Sequence, residues 1–325
     1  MTTAPTGRSD TPAARLPDDA VVTLGERLRS NPIVVAVSGE PDGAAPVRAA
    51  AALSARYGAP VYAVQVLDTS AIPAPLPYAF GLARDLIGDT PYEADVRDRR
   101  RQFLQWLGAE VDWPVHVDVG TPASEIVKYA EARAAGLIVL GLRRHGVVDR
   151  VLRDETTLNV ARRARGAVLG VVPSLEGLPR RAVVGVDFGP ASARAARAAL
   201  DILAADAPAD TPVVLHLVYV DRNGDTREGT EGEGVIARLG VNAAFQELVR
   251  DLKAPATLRV ESVIRRGAPA EELLAYADEV DADLIAVGSL RHERLDRWLL
   301  GSVTATVVRD GRCSVLVIPP PPATA

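Results

Sequence analysis

The chain has 325 residues, 48% hydrophobic and 24% charged, enough for two domains with their own cores and too apolar for a disordered polymer. Its net charge of -5 argues against nonspecific nucleic-acid binding, which needs a clustered cationic face, and no apolar run reaches a membrane span. The single cysteine, Cys313, excludes an intrachain disulfide and a multi-cysteine metal site, and fits a reducing, cytoplasmic compartment.

In chain order, Met1 to Leu16 lack the apolar stretch of a secretory leader, and residues 1–30 read as a disordered tail whose first 18 are polar and proline-bearing. A short apolar strand over Ile33–Val37 leads into an alanine-rich helix, about Ala45–Tyr57, and a second strand over Val61–Leu67. A helix near Ala94–Leu107 precedes a third strand, Val115–Val119. The next helix begins at Pro122, where proline suits a first turn. A fourth strand over Leu137–Leu140 ends at glycine, and a loop, a helix and a fifth strand over Ala167–Val172 complete the unit. The break Pro173 to Pro179 reads as a linker, residues 174–180.

The same order then recurs. An offset of 147 carries Gly120 onto Gly267, Pro122 onto Pro269, Glu125 onto Glu272 and Tyr129 onto Tyr276. It continues through Gly141/Gly288, Arg144-His145/Arg291-His292 and Asp149-Arg150/Asp296-Arg297, too many matches in one register for chance. The second copy has strands over Ala182–Val186, Val213–Val220, Leu258–Ile264, Leu284–Val287 and Val315–Ile318. Its helices are read over Ser192–Ala205, near Gly234–Leu252, and from Pro269. Val, Ile and Leu runs without polar alternation are what a parallel sheet covered on both faces requires. The expected fold is therefore α/β: two doubly wound, five-stranded parallel-sheet domains, residues 31–173 and 181–319, with a proline-rich tail from 320 to 325. In such folds ligands bind beyond the carboxyl ends of the strands.

After the fourth strand the second copy reads Gly288-Ser-Leu-Arg291, nine residues, then Gly301-Ser302 opening a helix. Free amides and the dipole at a helix start favour an anion, and glycine lets a phosphate approach the main chain. A Gly-Ser pair before a helix is also an ordinary cap, so two readings stand for Ser302. The spacing resembles the nucleotide loop of the universal stress protein family, Gly-x-x-Gly-x9-Gly-Ser/Thr, and Val-Gly-Val-Asp187 at the end of strand one resembles that family too. The resemblance spans both copies and implies a tandem universal stress protein with adenine-nucleotide alpha-hydrolase-like domains. It implies pairing through the fifth strands as an intrachain pseudo-dimer, with homodimerisation of the whole chain left open. It also implies stress-response regulation, with ATP or a related adenine nucleotide held by Asp187, Leu217 or a neighbour, Gly288, Gly301 and Ser302, and Mg2+ arriving only with the nucleotide. Arg291 stands where the family has its second glycine. It either crowds the phosphate space or binds phosphate through its own guanidinium.

The first copy has Asp154-Glu155 in place of Gly-Ser, and Ser38 in place of the strand-one aspartate. Carboxylates at a helix start repel an anion, so nucleotide binding there is expected to be lost. Arg143, Arg144, Arg150 and Arg153 read as a solvated loop paired with Asp149, Asp154 and Glu155. His145 and His292 invite a catalytic reading, but no nucleophile–base pair or Walker-type lysine accompanies them, so no enzyme is expected. His116 and His216 fall inside strands, where packed rings are expected rather than metal ligands, and Cys313 reads as a buried small hydrophobe. The acidic segment Asp221–Glu233 reads as a mobile loop at the binding edge without calcium-loop spacing. No Gly-x-Gly-x-x-Gly follows either first strand, which disfavours a dinucleotide enzyme. An unidentified protein partner, without nucleotide, is the competing reading.

Overall fold

A computed structural model describes residues 22–37, 43–68, 113–142, 155–206, 212–222, 231–289 and 300–320, with single positions at 98, 101 and 105. The first copy contains β1 (Ile33–Ala36), α2 (Ala44–Tyr57), β2 (Val61–Asp68), β3 (Val115–Gly120), α3 (Pro122–Ala132), β4 (Leu137–Gly141), α4 (Glu155–Arg163) and β5 (Ala167–Val171), preceded by α1 (Leu24–Ser30). The second contains β6 (Arg181–Gly185), α5 (Pro190–Leu203), β7 (Val213–Asp221), α6 (Glu231–Leu252), β8 (Leu258–Arg266), α7 (Pro269–Glu279), β9 (Leu284–Gly288), α8 (Ser302–Asp310) and β10 (Ser314–Ile318).

The described strands form one sheet in the order β3-β2-β1-β4-β5-β10-β9-β6-β7-β8. Within each copy every pairing is parallel, and the halves join where β5 and β10 run antiparallel, Leu169 facing Leu316. The expected pseudo-dimer is therefore a continuous sheet. Its centre carries the largest apolar load: every residue of β1, β5 and β10 is buried, as the unbroken aliphatic runs demanded. At the outer edges the apolar pattern loosens, and β3 and β8 mix exposed with buried positions. The helices α2 and α5 cover one face beside α1, while α3, α4, α7 and α8 cover the other.

Two local expectations change, and the linker between the copies is seen to be packed. Residues 24–30 are a helix rather than tail. Thr23 accepts from the Glu26 amide at 3.1 Å while Glu26 accepts from the Thr23 amide at 2.8 Å, a reciprocal cap. Seven residues are too few for an isolated helix. α1 forms because Leu24 and Leu28 are buried and the Gly25 amide donates to Asp201 Oδ2 of α5 at 2.9 Å, a partner in the other copy. The segment between copies is packed rather than free: Leu175 and Leu178 are buried, and Arg48 donates to the Leu175 carbonyl at 3.1 Å. Glu231–Glu233 belong to α6, and Asp221 ends β7, so the acidic segment is shorter than expected. The helix near Ala94–Leu107 lies outside the described residues except at Asp98, Arg101 and Gln105.

Candidate functional site

A cavity of about 570 Å3 opens at the carboxyl ends of β6, β7 and β9, between the first turns of α5 and α8. That size falls within the range of small-ligand sites, and the position is the one a doubly wound sheet reserves for ligands. Asp187, Tyr219, Asp221, Gly288, Gly301 and Ser302 are among its walls.

Asp187 is positioned by its own turn. After β6, the Val186 amide still donates to the Val218 carbonyl at 2.9 Å, and the chain then bends into α5. Oδ1 of Asp187 accepts from the Ser192 hydroxyl at 2.6 Å and from the Gly189 amide at 2.9 Å. This is an aspartate closing a turn on its own backbone. Among the described residues Oδ2 has no partner, and Asp187 is exposed. One oxygen thus fixes the carboxylate and the other is presented.

Phe188, inside that turn, has φ +61, left-handed backbone that costs a side-chain-bearing residue about 1–2 kcal/mol. Its ring stacks on Tyr219 at 5.2 Å and meets Phe245 edge-on at 5.0 Å. Each such pair contributes about 0.5–1.5 kcal/mol beyond area burial, enough to offset the strain. Burial foremost, then Asp221 and Asp187, push the Tyr219 phenol up, so it borders the cavity as a neutral hydroxyl.

The two loop glycines have different reasons. A Cβ on Gly288 would sit 2.3 Å from the Ala191 carbonyl oxygen, so the contact between β9 and the first turn of α5 requires glycine there. Gly301, the N-cap of α8, has φ -58 and ψ 156, and a Cβ on it would meet nothing within 4 Å among the described residues. Among those residues neither backbone strain nor packing explains that glycine, and the space above it is open. Ser302 is exposed and is the first helical residue, and among the described residues no side chain caps α8. The capping role read for its hydroxyl is therefore not the one it has, because it lies one position too late. The first intrahelical bond runs from the Ala305 amide to the Gly301 carbonyl at 2.9 Å, leaving the preceding first-turn amides without helical partners beside the cavity. Thr304 is committed inward, its hydroxyl donating to the Gly288 carbonyl at 3.4 Å.

Leu217 is wholly buried in β7 and does not line the cavity; Val218 to Arg222, just beyond it, do. Tyr219 and Arg222 join Asp187 there, and their only sequence signal was proximity to the end of the second strand. Arg291 lies outside the described residues, as do His145, His292, Ser38, Asp154 and the first copy's loop arginines. Glu155 opens α4 where Ser302 opens α8, and Thr157 reaches the Gly141 carbonyl at 3.4 Å as Thr304 reaches that of Gly288. His216 is away from the cavity: buried, it meets the Tyr276 hydroxyl at 3.1 Å, and burial foremost lowers its pKa against the opposing pull of Glu261. His116 stacks on Tyr129 at 4.8 Å but is exposed at the sheet edge rather than packed inside, whereas Cys313 is buried as expected. Among the described residues there is no cluster of metal-ligating side chains, and no helix is long and apolar enough to cross a membrane.

A model of the universal stress protein family matches this chain twice, over residues 30–171 and 179–319. A universal stress protein of Mycolicibacterium smegmatis is 26% identical over 298 residues, covering 89% of this chain and 97% of its own length. One from Mycobacterium tuberculosis is 31% identical over 140 residues, 42% of this chain and 93% of its own. Among solved structures, a universal stress protein of Archaeoglobus fulgidus superposes with a TM-score of 0.60 at 18% identity, covering 89% of this chain and 98% of the other. Another, described as a putative universal stress protein of Pseudomonas aeruginosa, gives 0.61 at 15%, covering 90% and 95%. At those identities the likeness concerns the fold.

Proposed function

The chain belongs to the universal stress protein family, carrying two of its domains in tandem, and on that premise we propose that it is a stress-response regulator whose second copy binds ATP or a related adenine nucleotide. The observation that carries this reading is the pairing, across one cavity, of the presented Asp187 carboxylate with the open N-terminus of α8 at Gly301. Carboxylate oxygens accept from sugar hydroxyls, and unpaired first-turn amides with the helix dipole suit a phosphate chain. The main chain of Val218 to Asp221 supplies donors and acceptors for a base edge, in place of Leu217 itself. Gly288 serves by letting α5 close on β9, which holds Ser192 and hence Asp187 in place. Mg2+ would come with the nucleotide, as a counter-ion to its phosphates.

The proposal is for binding without turnover. The chain's two lysines, Lys128 and Lys253, do not line the cavity, so phosphate charge falls to backbone amides and arginine. Ligands released from the purified full-length protein, identified by mass spectrometry, should include an adenine nucleotide. With ligand-free protein, ATP at a hundred times its dissociation constant should add about 2.7 kcal/mol to the unfolding free energy. That gain should vanish in the Gly301→Asp, Ser302→Glu double variant, which gives the second copy the first copy's residues. No thermal shift at millimolar ATP would sink the proposal and leave a nucleotide-free interaction module in its place.

A further inference from the structure

A second, smaller cavity of about 50 Å3 lies at the seam between the copies. Its walls come from α1 (Thr23, Arg27), α5 (Arg194, Arg197) and the end of β10 (Ile318, Pro319). By a comparable measure one water needs roughly 10–15 Å3, so the space suits a few waters or one tetrahedral oxyanion. Three arginines on so small a cavity would ordinarily be matched by carboxylates. Among the described residues, none of the three is in an ion pair.

The nearby acids are already engaged. Glu26 turns back onto the Thr23 amide, and Asp201 accepts from the Gly25 amide. The arginines themselves divide. Arg197 is committed, its terminal nitrogens donating to the Asp251 and Leu252 carbonyls at the end of α6. Arg194 is not: its Nε is buried without a hydrogen-bond partner, and burial alone lowers its pKa, with no neighbouring charge restoring it. Folded chains rarely leave such a donor dry, and an unmatched guanidinium fork is shaped for a bidentate oxyanion. Arg27 approaches from α1, its guanidinium likewise without a hydrogen bond among the described residues.

We propose that this cavity binds a tetrahedral oxyanion of the phosphate class, held between Arg194 of one copy and Arg27 of the segment leading into the other. The anion would tie α1 to α5 across the seam. It is either free phosphate or the terminal group of a small phosphomonoester; the space excludes a nucleotide. The site is separate from the larger cavity and does not depend on the nucleotide reading.

The test uses the full chain, with inorganic phosphate and glycerol 3-phosphate as probes against chloride at matched ionic strength. Phosphate at ten times half-saturation should raise the thermal midpoint by about 2 °C. The rise should survive in the Gly301→Asp, Ser302→Glu variant and be lost in Arg194→Met and in Arg27→Met. The Arg27 variant, on a half-buried helical position, keeps the test decisive if Arg194→Met fails to fold. A glycerol 3-phosphate shift of equal size marks a mouth open to phosphomonoesters; phosphate alone marks a site for the free ion. A rise equalled by chloride, retained in both arginine variants, or abolished by the α8 variant would overturn the proposal.

Discussion

The two copies keep one strand register and differ where their strands end. At the end of β4 a Cβ on Gly141 would meet, among the described residues, only Pro46, at 3.9 Å, whereas at the end of β9 a Cβ on Gly288 would strike the Ala191 carbonyl at 2.3 Å. In the second copy the helix after the first strand is thus drawn hard against the fourth strand, and among the described residues of the first, where that helix is seen only from Gly43 on, no such contact occurs. Both copies keep the threonine bond to that glycine's carbonyl at 3.4 Å, so the frame is shared. The second copy thus holds a tight strand–helix seat beneath a presented carboxylate. Among the described residues, what separates them is how closely a helix start approaches a strand end, which composition does not record.

The sharpest way to break this comparison is a methyl group at each glycine. Gly288→Ala places it against backbone that cannot move without shifting α5, and should cost roughly 1–3 kcal/mol or more. Gly141→Ala has room among the described residues and should be neutral, or stabilising by about 0.5 kcal/mol through the unfolded chain. Parallel denaturation curves of the two variants check this. Equal costs would mean that the two seats do not differ.

Asp187→Ala comes next. It removes the acceptor that satisfies the Ser192 hydroxyl and the Gly189 amide, and should cost about 1–3 kcal/mol. Asp187→Asn, which keeps one acceptor oxygen, should recover most of that stability but not the ATP-induced thermal shift. If Asn restores both, the presented charge has no part in binding.

The seam offers a smaller, pH-dependent effect. Tyr57 of the first copy donates to the Asp201 carbonyl of the second at 2.7 Å, and burial, then the Asp201 charge, push its phenol up to about 12. The unfolded phenol titrates near about 10. The folded chain therefore holds this proton more tightly. The stability it contributes is complete below about pH 10 and is lost as the pH rises through about 12. Tyr57→Phe should cost about 1 kcal/mol near neutrality for the lost hydrogen bond and remove that part of the alkaline decline. Phenolate absorbance read alongside unfolding midpoints from pH 9 to 12 separates the two contributions.

Nearly all of the strands were legible, because aliphatic runs and a single repeat offset locate them in both copies. The join between β5 and β10 was legible through the family resemblance. What was not legible depended on contacts between the copies. α1 has a recognisable cap in Thr23 and Glu26, yet it is too short to stand without Asp201, a residue far along the chain. Leu175 and Leu178 read as linker because proline and glycine flank them, but they are buried. At the site, Asp187, Gly288, Gly301 and Ser302 do converge on one cavity. Leu217 misses the cavity because strand alternation and sheet burial carry it inward, while the residues after it emerge at the rim. Tyr219 was invisible because its place follows from Phe188, a left-handed turn residue that no motif announced.

The least disruptive change carries the most functional information. Gly288 and Gly301 belong to one loop, and both fit the family's phosphate motif, yet among the described residues packing demands only the first. Gly301→Ala adds a methyl that meets none of the described residues, at ordinary φ, so its unfolding free energy should stay within about 0.5 kcal/mol of the parent. If phosphates come close to the main chain there, that methyl stands in their path, and ATP binding should weaken at least about tenfold, roughly 1.4 kcal/mol. Isothermal titration of ligand-free protein decides it, with Gly141→Ala as the control that should leave affinity unchanged. Full affinity in Gly301→Ala would mean that phosphate does not approach the start of α8. The glycine there would then be only a cap, and the likeness of the two loops would lie in the fold alone.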